Sequence, residues 1–336
     1  MYKKHNILIT TTLAATLFIS QIINTGIKKT FLTCFKKLAK AQPSTVTNIT
    51  SDSCLLVKQK NCQQVKIIKF GGSIITDKGA TTGLAQIKII KQIAKEIADY
   101  KELVIVTHGT GSFGHPLYKK YNLAEKFNLK GAIKTYRAEK KLNKLFIEIL
   151  KNAGANVLPI NPLFNIACKD DRIAYIRVKS IKKALDNGYI PVLFGTMVPD
   201  FKKIGSGLSS DQITTYLAKE LGATEIGFGS SEDGVYDEEK VVIEEINGKS
   251  FDEIEKYVGG SVHTDCTGGM LGKVKETLLL EDTNSYIFNA GEPGNVTKFL
   301  EGNHVGTKIT QKLSNSEQEI EKSNFFIQRE FDNSIF

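Results

Sequence analysis

Val65-Lys-Ile-Ile-Lys-Phe-Gly-Gly-Ser73 runs an apolar segment straight into a glycine pair. Val65–Phe70 reads as a buried strand, and Gly71-Gly72 reads as the turn that ends it. Glycine lets the main chain approach oxygens closely, so bare N–H groups at a strand-to-helix turn make a cradle for an anion. A second unit of the same kind follows. Leu103–Thr107 is a strand candidate that opens into His108-Gly-Thr-Gly-Ser-Phe-Gly-His115. A third glycine turn, Thr267-Gly-Gly-Met-Leu-Gly-Lys273, lies near the far end of the chain. Each turn has a lysine or histidine beside its glycines. Two cradles with separate cations point to two phosphorylated ligands facing each other, which is the layout that phosphoryl transfer needs.

Outward from these turns the chain alternates strand-like and helix-like segments. Leu84–Tyr100 has apolar residues at helical spacing (Leu84, Ile87, Ile90, Ala94, Ile97), and Arg137–Ala153 repeats the pattern with Leu142, Leu145, Phe146 and Ile149 before Gly154 as a cap. Val157–Ile160, Pro191–Phe194, Glu225–Gly229 and Tyr286–Asn289 read as further strands. Ser209–Leu221 reads as a helix with Ser209 or Ser210 as N-cap and Gly222 after it. This order predicts an α/β fold: an open, mostly parallel sheet sandwiched between helices, with ligands at the carboxyl ends of the strands. The expected domain runs over residues 65–312.

Bulk properties exclude other classes. The 336 residues are 41% hydrophobic and 24% charged, as in ordinary globular proteins. The net charge of +9 is unevenly placed: seven lysines fall within residues 1–51, which hold no acid, so residues 52–336 carry 38 basic against 36 acidic side chains. A near-neutral body gives no reason to expect a nucleic-acid partner. The five cysteines are scattered, with no Cys-x-x-Cys pair, which argues against a zinc site or a disulfide framework and for a reducing compartment. Residues 1–60 form a basic, partly apolar leader. Ile7–Ile23 follows Lys3 and Lys4 but is diluted by five threonines and serines, and it is short for a membrane span. The expectation is a cytoplasmic protein, with membrane anchoring or organelle targeting through residues 1–40 as the alternative. Any membrane contact would run through residues 7–23 only. Residues 313–336 read as a polar tail.

Each candidate residue has a bland reading beside the functional one. Lys69, Lys78 and Lys273 are either solvated or spread phosphate charge, and three beside separate glycine turns favour the second. His115 either bonds a loop carbonyl or donates to an acceptor phosphate. His108, at a strand end, reads as structural. Asp211 either caps a helix or holds the lysines or Mg2+. Asp233, in Asp233-Gly-Val-Tyr-Asp237, either marks a turn or sits by the base and ribose of a nucleotide. Gly109-Thr-Gly-Ser-Phe-Gly114 fits a dinucleotide fingerprint, so an NAD-dependent oxidoreductase is one alternative, but no second strand ending in an acid follows about 20 residues on. Gly268-Gly-Met-Leu-Gly-Lys273 falls one residue short of a P-loop and has Val274 in place of Ser or Thr. Protein-kinase motifs are absent.

Taken together these residues resemble the amino acid kinase superfamily, and within it the isopentenyl phosphate kinases. Lys69-Phe-Gly-Gly-Ser-Ile-Ile-Thr-Asp-Lys78 and His108-Gly-Thr-Gly-Ser-Phe-Gly-His115 are the specific matches; the helix Thr135–Asn143, Gly195, Asp233-Gly-Val and Thr267-Gly-Gly-Met270 through Lys273 follow in the family's order. The resemblance implies that Lys69, Gly71, Gly72 and Ser73 surround the ATP phosphates, with Gly111, Asp233 and Gly269 also on the nucleotide. Lys78 and Lys273 would stabilise the γ-phosphoryl group in flight. Thr110, Gly114, His115 and Gly195 would meet the acceptor, and Asp211 would order the lysines. It further implies an acceptor half over about residues 65–195 and an ATP half over 196–312, and a homodimer that uses MgATP as cosubstrate on a small phosphorylated molecule, with no tightly bound prosthetic group and no protein metal site. Thr110, Thr196, Ser210 and Ser231 depart from the family pattern. The run Ser209-Ser-Asp211 also resembles the fosfomycin kinases, a sister branch, which leaves a phosphonate kinase as an alternative beside a non-catalytic ligand-binding protein.

Overall fold

The computed structural model describes residues 64–77, 79–80, 83–258 and 269–310, apart from the side chains of Lys249, Asp252 and Tyr257. The leader, Lys78, the start of the third glycine turn and the tail lie outside the described residues. Among the described residues twelve strands occur in chain order: β1 Lys66–Phe70, β2 Val104–His108, β3 Val157–Pro159, β4 Ile166–Lys169, β5 Arg172–Ile176, β6 Ile190–Phe194, β7 Thr196–Pro199, β8 Gly205–Leu208, β9 Glu225–Ser230, β10 Glu245–Asn247, β11 Asn284–Asn289 and β12 Thr307–Thr310. The helices are α1 Gly72–Ile75, α2 Ile87–Asp99, α3 Gly111–Lys120, α4 Leu129–Asn152, α5 Pro162–Asn165, α6 Val178–Asp186, α7 Ser210–Leu221, α8 Gly248–Val258, α9 Gly269–Leu278 and α10 Asn295–Leu300.

Eight strands form one sheet in the order β10-β12-β11-β9-β1-β2-β6-β3. Every pairing in it is parallel except β11 with β12. Two antiparallel hairpins, β4–β5 and β7–β8, stand apart from it. A parallel strand is covered on both faces, which is why the central strands are almost uniformly apolar. Alternation then assigns each side chain to a layer. Ile67, Ile105, Leu193 and Phe228 join one core with Ile213 and Leu217 of α7. Ile68, Phe70, Val106 and Val192 join the other with Ile90 and Ile97 of α2 and Leu142 and Phe146 of α4. Lys69 has the parity of Ile67, so its side chain leaves β1 on the α7 face.

The expected strands all form, with ends shifted by one or two residues. Helix α4 starts eight residues earlier than its apolar period suggests, because Asn128 caps it by accepting from the Gly131 N–H at 2.9 Å. Its C-cap is Ala153, one residue before the expected Gly154. Ser209 rather than Ser210 caps α7, accepting from the Gln212 N–H at 3.1 Å.

The two leading glycine turns are clasped to each other. The Gly109 N–H donates to the Phe70 carbonyl at 2.9 Å, and the Ser112 N–H donates to Thr76 Oγ1 at 3.0 Å. A β-carbon on Gly72 would lie 2.3 Å from the Gly111 nitrogen. One on Gly111, whose φ is +44°, would lie 2.0 Å from Thr76 Oγ1 and 2.6 Å from the Gly72 carbonyl oxygen. These glycines are required by the approach of one turn to the other. Gly111→Ala combines left-handed backbone strain with overpacking and is expected to destabilise the fold by about 2–4 kcal/mol in urea unfolding. An unchanged midpoint would contradict the clasp.

Candidate active site

Four chain segments converge at the carboxyl edge of the sheet. Register sets the convergence: Lys69 is level with Thr107 of β2 and Phe228 of β9, and Phe70 is level with His108, which is level with Phe194 of β6. The strands therefore end together, and their turns share hydrogen bonds. The Gly71 N–H donates to the Gly229 carbonyl at 2.8 Å, and the Gly195 N–H donates to the His108 carbonyl at 3.0 Å. The cleft above this edge is lined by Lys69, Gly72, Gly109, Thr110, Gly114, His115, Gly195 and Asp211, together with Tyr118, Glu139, Thr196, Met197 and residues 207–210.

Lys69 and Asp211 of this lining belong to a charge cluster that Lys273 completes from beneath. Lys69 is 4% exposed and its Nζ donates to Asp211 Oδ1 at 2.8 Å. Lys273 Nζ, from α9, reaches the same oxygen at 3.5 Å. Asp211 lies in the first turn of α7, where the helix dipole favours a carboxylate. Burial alone would raise its pKa, but the ammonium groups of Lys273 and Lys69 overcome that and hold it down to about 2. Lys69 moves the other way from an ordinary lysine. Burial, reinforced by neighbouring Lys273, lowers it to about 8 in spite of Asp211. Two cations on one carboxylate leave a net positive site that is only partly neutralised, and a phosphoryl group is what such a site would hold. The carboxylate's structural work here is to hold lysines; the cap of α7 falls to Ser209.

The other expected residues are distributed around this cluster. His115 follows Gly114 in the first turns of α3 and faces the cleft, while Thr110 precedes α3 and is 6% exposed. His108 is buried and structural: its Nδ1 meets the Gly109 carbonyl at 2.9 Å, its Nε2 meets the Asn143 side chain at 3.0 Å, and it stacks on Phe194. Burial lowers its pKa, against its hydrogen bonds to Gly109 and Asn143. Gly71, Ser73, Gly111, Gly269 and Lys273 are not among the residues that line this cleft; Gly111 packs against Gly72, and the Gly71 N–H is taken up by the Gly229 carbonyl. Gly269, with φ +59°, begins α9 one turn before Lys273. Asp233 is exposed, accepts from Asn289 Nδ2 at 2.9 Å and lies past β9, outside the lining of this cleft. Lys78 lies outside the described residues.

Sequence reasoning missed Glu139. It sits in α4 three and seven residues before Leu142 and Phe146, on the buried stripe, and is 5% exposed. An acid at an apolar position of a helical period was the available signal. Burial pushes its carboxyl up to about 8, opposed by the hydrogen bond that Thr196 Oγ1 donates to Oε2 at 2.6 Å.

Among the described residues no group of three or more His, Cys, Asp and Glu side chains is arranged to hold a metal ion, and no helix is long and apolar enough to cross a membrane. Comparison with known proteins agrees with the geometry. The sequence pattern of the Amino acid kinase family matches residues 64–289. The isopentenyl phosphate kinase of Methanothermobacter thermautotrophicus is 31% identical over 265 residues, covering 73% of this chain and 99% of the relative. That of Methanocaldococcus jannaschii is 32% identical over 257 residues, covering 72% and 97%. A crystal structure described as isopentenyl phosphate kinase superposes with a TM-score of 0.62 at 28% identity, covering 73% of this chain and all of the other. With the family pattern running over residues 64–289 and relatives above 30% identical matched along nearly their whole length, the chain belongs to the amino acid kinase family.

Proposed function

We propose that this protein transfers the γ-phosphoryl group of ATP to isopentenyl phosphate, giving isopentenyl diphosphate. The observation that carries the reading is that Lys69, Asp211 and His115, far apart in sequence, line one cleft at the ends of β1, α7 and α3. The acceptor oxygen is already ionised, so no strong general base is needed. The rate would come from in-line placement of two anions and from cations that neutralise charge in the transition state. In this reading Lys69 and Lys273 contact the transferring group, Lys78 joins them, and His115 donates to the acceptor phosphate. Gly71, Gly72, Ser73, Gly111, Asp233 and Gly269 serve the nucleotide. Thr110, Gly114 and Gly195 serve the acceptor.

Mg2+ is ordinarily carried by the phosphate oxygens of the nucleotide, and in this reading it would arrive with ATP. The resemblance also implies a homodimer, which light scattering in solution tests. No observation favours a phosphonate acceptor or a dinucleotide. The glycine turn that fits a dinucleotide fingerprint is instead packed against Gly72.

Lys69→Ala is expected to lower kcat about a hundredfold or more, and His115→Ala to raise KM for the acceptor with a smaller loss of kcat. A coupled ADP-release assay reads both; normal kinetics in both variants would refute the roles. The pH profile gives a second check. Lys69 is useful as a cation, and its pKa is lowered to about 8. The value of kcat/KM, which reports the free enzyme, is therefore expected to fall as pH rises through about 8. A profile flat to pH 10 would contradict a role for the Lys69 charge.

A further inference from the structure

Glu139 is a buried carboxyl group whose two oxygens have different surroundings. Oε2 accepts from Thr196 Oγ1 at 2.6 Å. Oε1 has no hydrogen-bond partner among the described residues and points at Gly114. A β-carbon on Gly114 would lie 2.6 Å from Oε1 and 2.3 Å from Thr110 Oγ1. The Thr110 hydroxyl does not cap α3 and has no partner among the described residues either. Two polar oxygens thus converge on the bare backbone of Gly114, one residue before His115, and all of these residues line the cleft.

This chemistry is ill suited to a tail made only of hydrocarbon. An alkenyl group that displaced water from this wall would leave Oε1 and the Thr110 hydroxyl without partners, and unmet polar atoms are costly in a closed site. A ligand hydroxyl, in contrast, both donates and accepts. It can meet Glu139 in either protonation state. Burial pushes the carboxyl up to about 8, so near neutral pH it is mostly protonated and carries no charge that would repel the acceptor phosphate.

We propose that Glu139, with Thr110 and Thr196, forms a hydroxyl-reading subsite in the acceptor end of the cleft, so that the enzyme takes short phosphomonoesters with a hydroxylated tail alongside isopentenyl phosphate. The proposal rests on the kinase reading above. Sites built to hydrogen-bond a hydroxyl discriminate strongly by it, whereas apolar pockets do not.

The test compares isopentenyl phosphate with its hydroxylated counterpart, 3-hydroxy-3-methylbutyl phosphate, in an ADP-release assay on the full chain. The wild type is expected to use the hydroxylated acceptor with kcat/KM within about tenfold of isopentenyl phosphate, or better. In Glu139→Leu the ratio of the two kcat/KM values should shift at least about tenfold towards isopentenyl phosphate, and Glu139→Gln should largely keep the wild-type ratio. Thr196→Val removes the hydrogen bond from the other side and should shift the ratio in the same direction, which carries the test if Glu139→Leu fails to fold. A merely structural role for Glu139 would lower both activities alike and leave the ratio unchanged, which would overturn the proposal. So would a wild type that rejects the hydroxylated acceptor more than a hundredfold. Failure of the wild type to turn over either acceptor would overturn the kinase reading, and the proposal with it.

Discussion

One carboxylate held between two ammonium groups organises this site. Asp211 accepts from Lys69 at 2.8 Å and lies 3.5 Å from Lys273, so it joins the first strand of the sheet to a helix more than 200 residues later. A buried lysine is expensive unless paired, and Lys69 and Asp211 are both almost fully enclosed. Removing the carboxylate would strand two cations, a loss that for buried pairs amounts to about 3–5 kcal/mol. The pairing is incomplete by design of the charges: two positive groups share one negative one. The remaining positive potential is of the sign that the proposed phosphate ligands require.

The sheet supplies the precision that this arrangement requires. Period-two alternation sends Lys69 to the α7 face while Ile68 and Phe70 fill the opposite core. Parallel register ends β1, β2 and β6 at one level, so the turns after them meet. The close contact of Gly72 with Gly111 then locks two of those turns together. Glycine does two jobs here. In the proposed reading it keeps the main chain available to ligand oxygens, and in the fold it lets one loop rest on the next. The second job is visible in the contact of Gly72 with Gly111.

Much of this was legible in the sequence. The strands, the helices α2, α4 and α7, and the lysines beside glycine turns follow from apolar period and turn chemistry, which are local properties. That Lys69 and His115 lie at one edge was an expectation of topology, which gathers the turns of a parallel sheet there; Asp211, in the helix after the β7–β8 hairpin, was placed with them only by the family resemblance. What escaped were features set by contacts distant in sequence. The hairpins β4–β5 and β7–β8 have short strands with weak alternation, and β10 and β12 pair only at the sheet's edge. Whether Asp211 caps a helix or holds lysines could not be chosen until Ser209 was seen to cap it. Glu139 was visible as a charge on an apolar stripe, but its meaning depends on Thr196 and Gly114, which meet it only in three dimensions.

The central claim is that one positively lined cleft receives two phosphate groups end to end, over the charge cluster of Lys69, Asp211 and Lys273. The most direct measurement is a crystal structure with a non-hydrolysable ATP analogue and isopentenyl phosphate bound together. The account predicts the terminal phosphate of the nucleotide within hydrogen-bonding distance of Lys69 and Lys273, and the acceptor phosphate beside His115 and in line with it. Nucleotide bound away from these lysines, or an acceptor phosphate held on another surface, would contradict it.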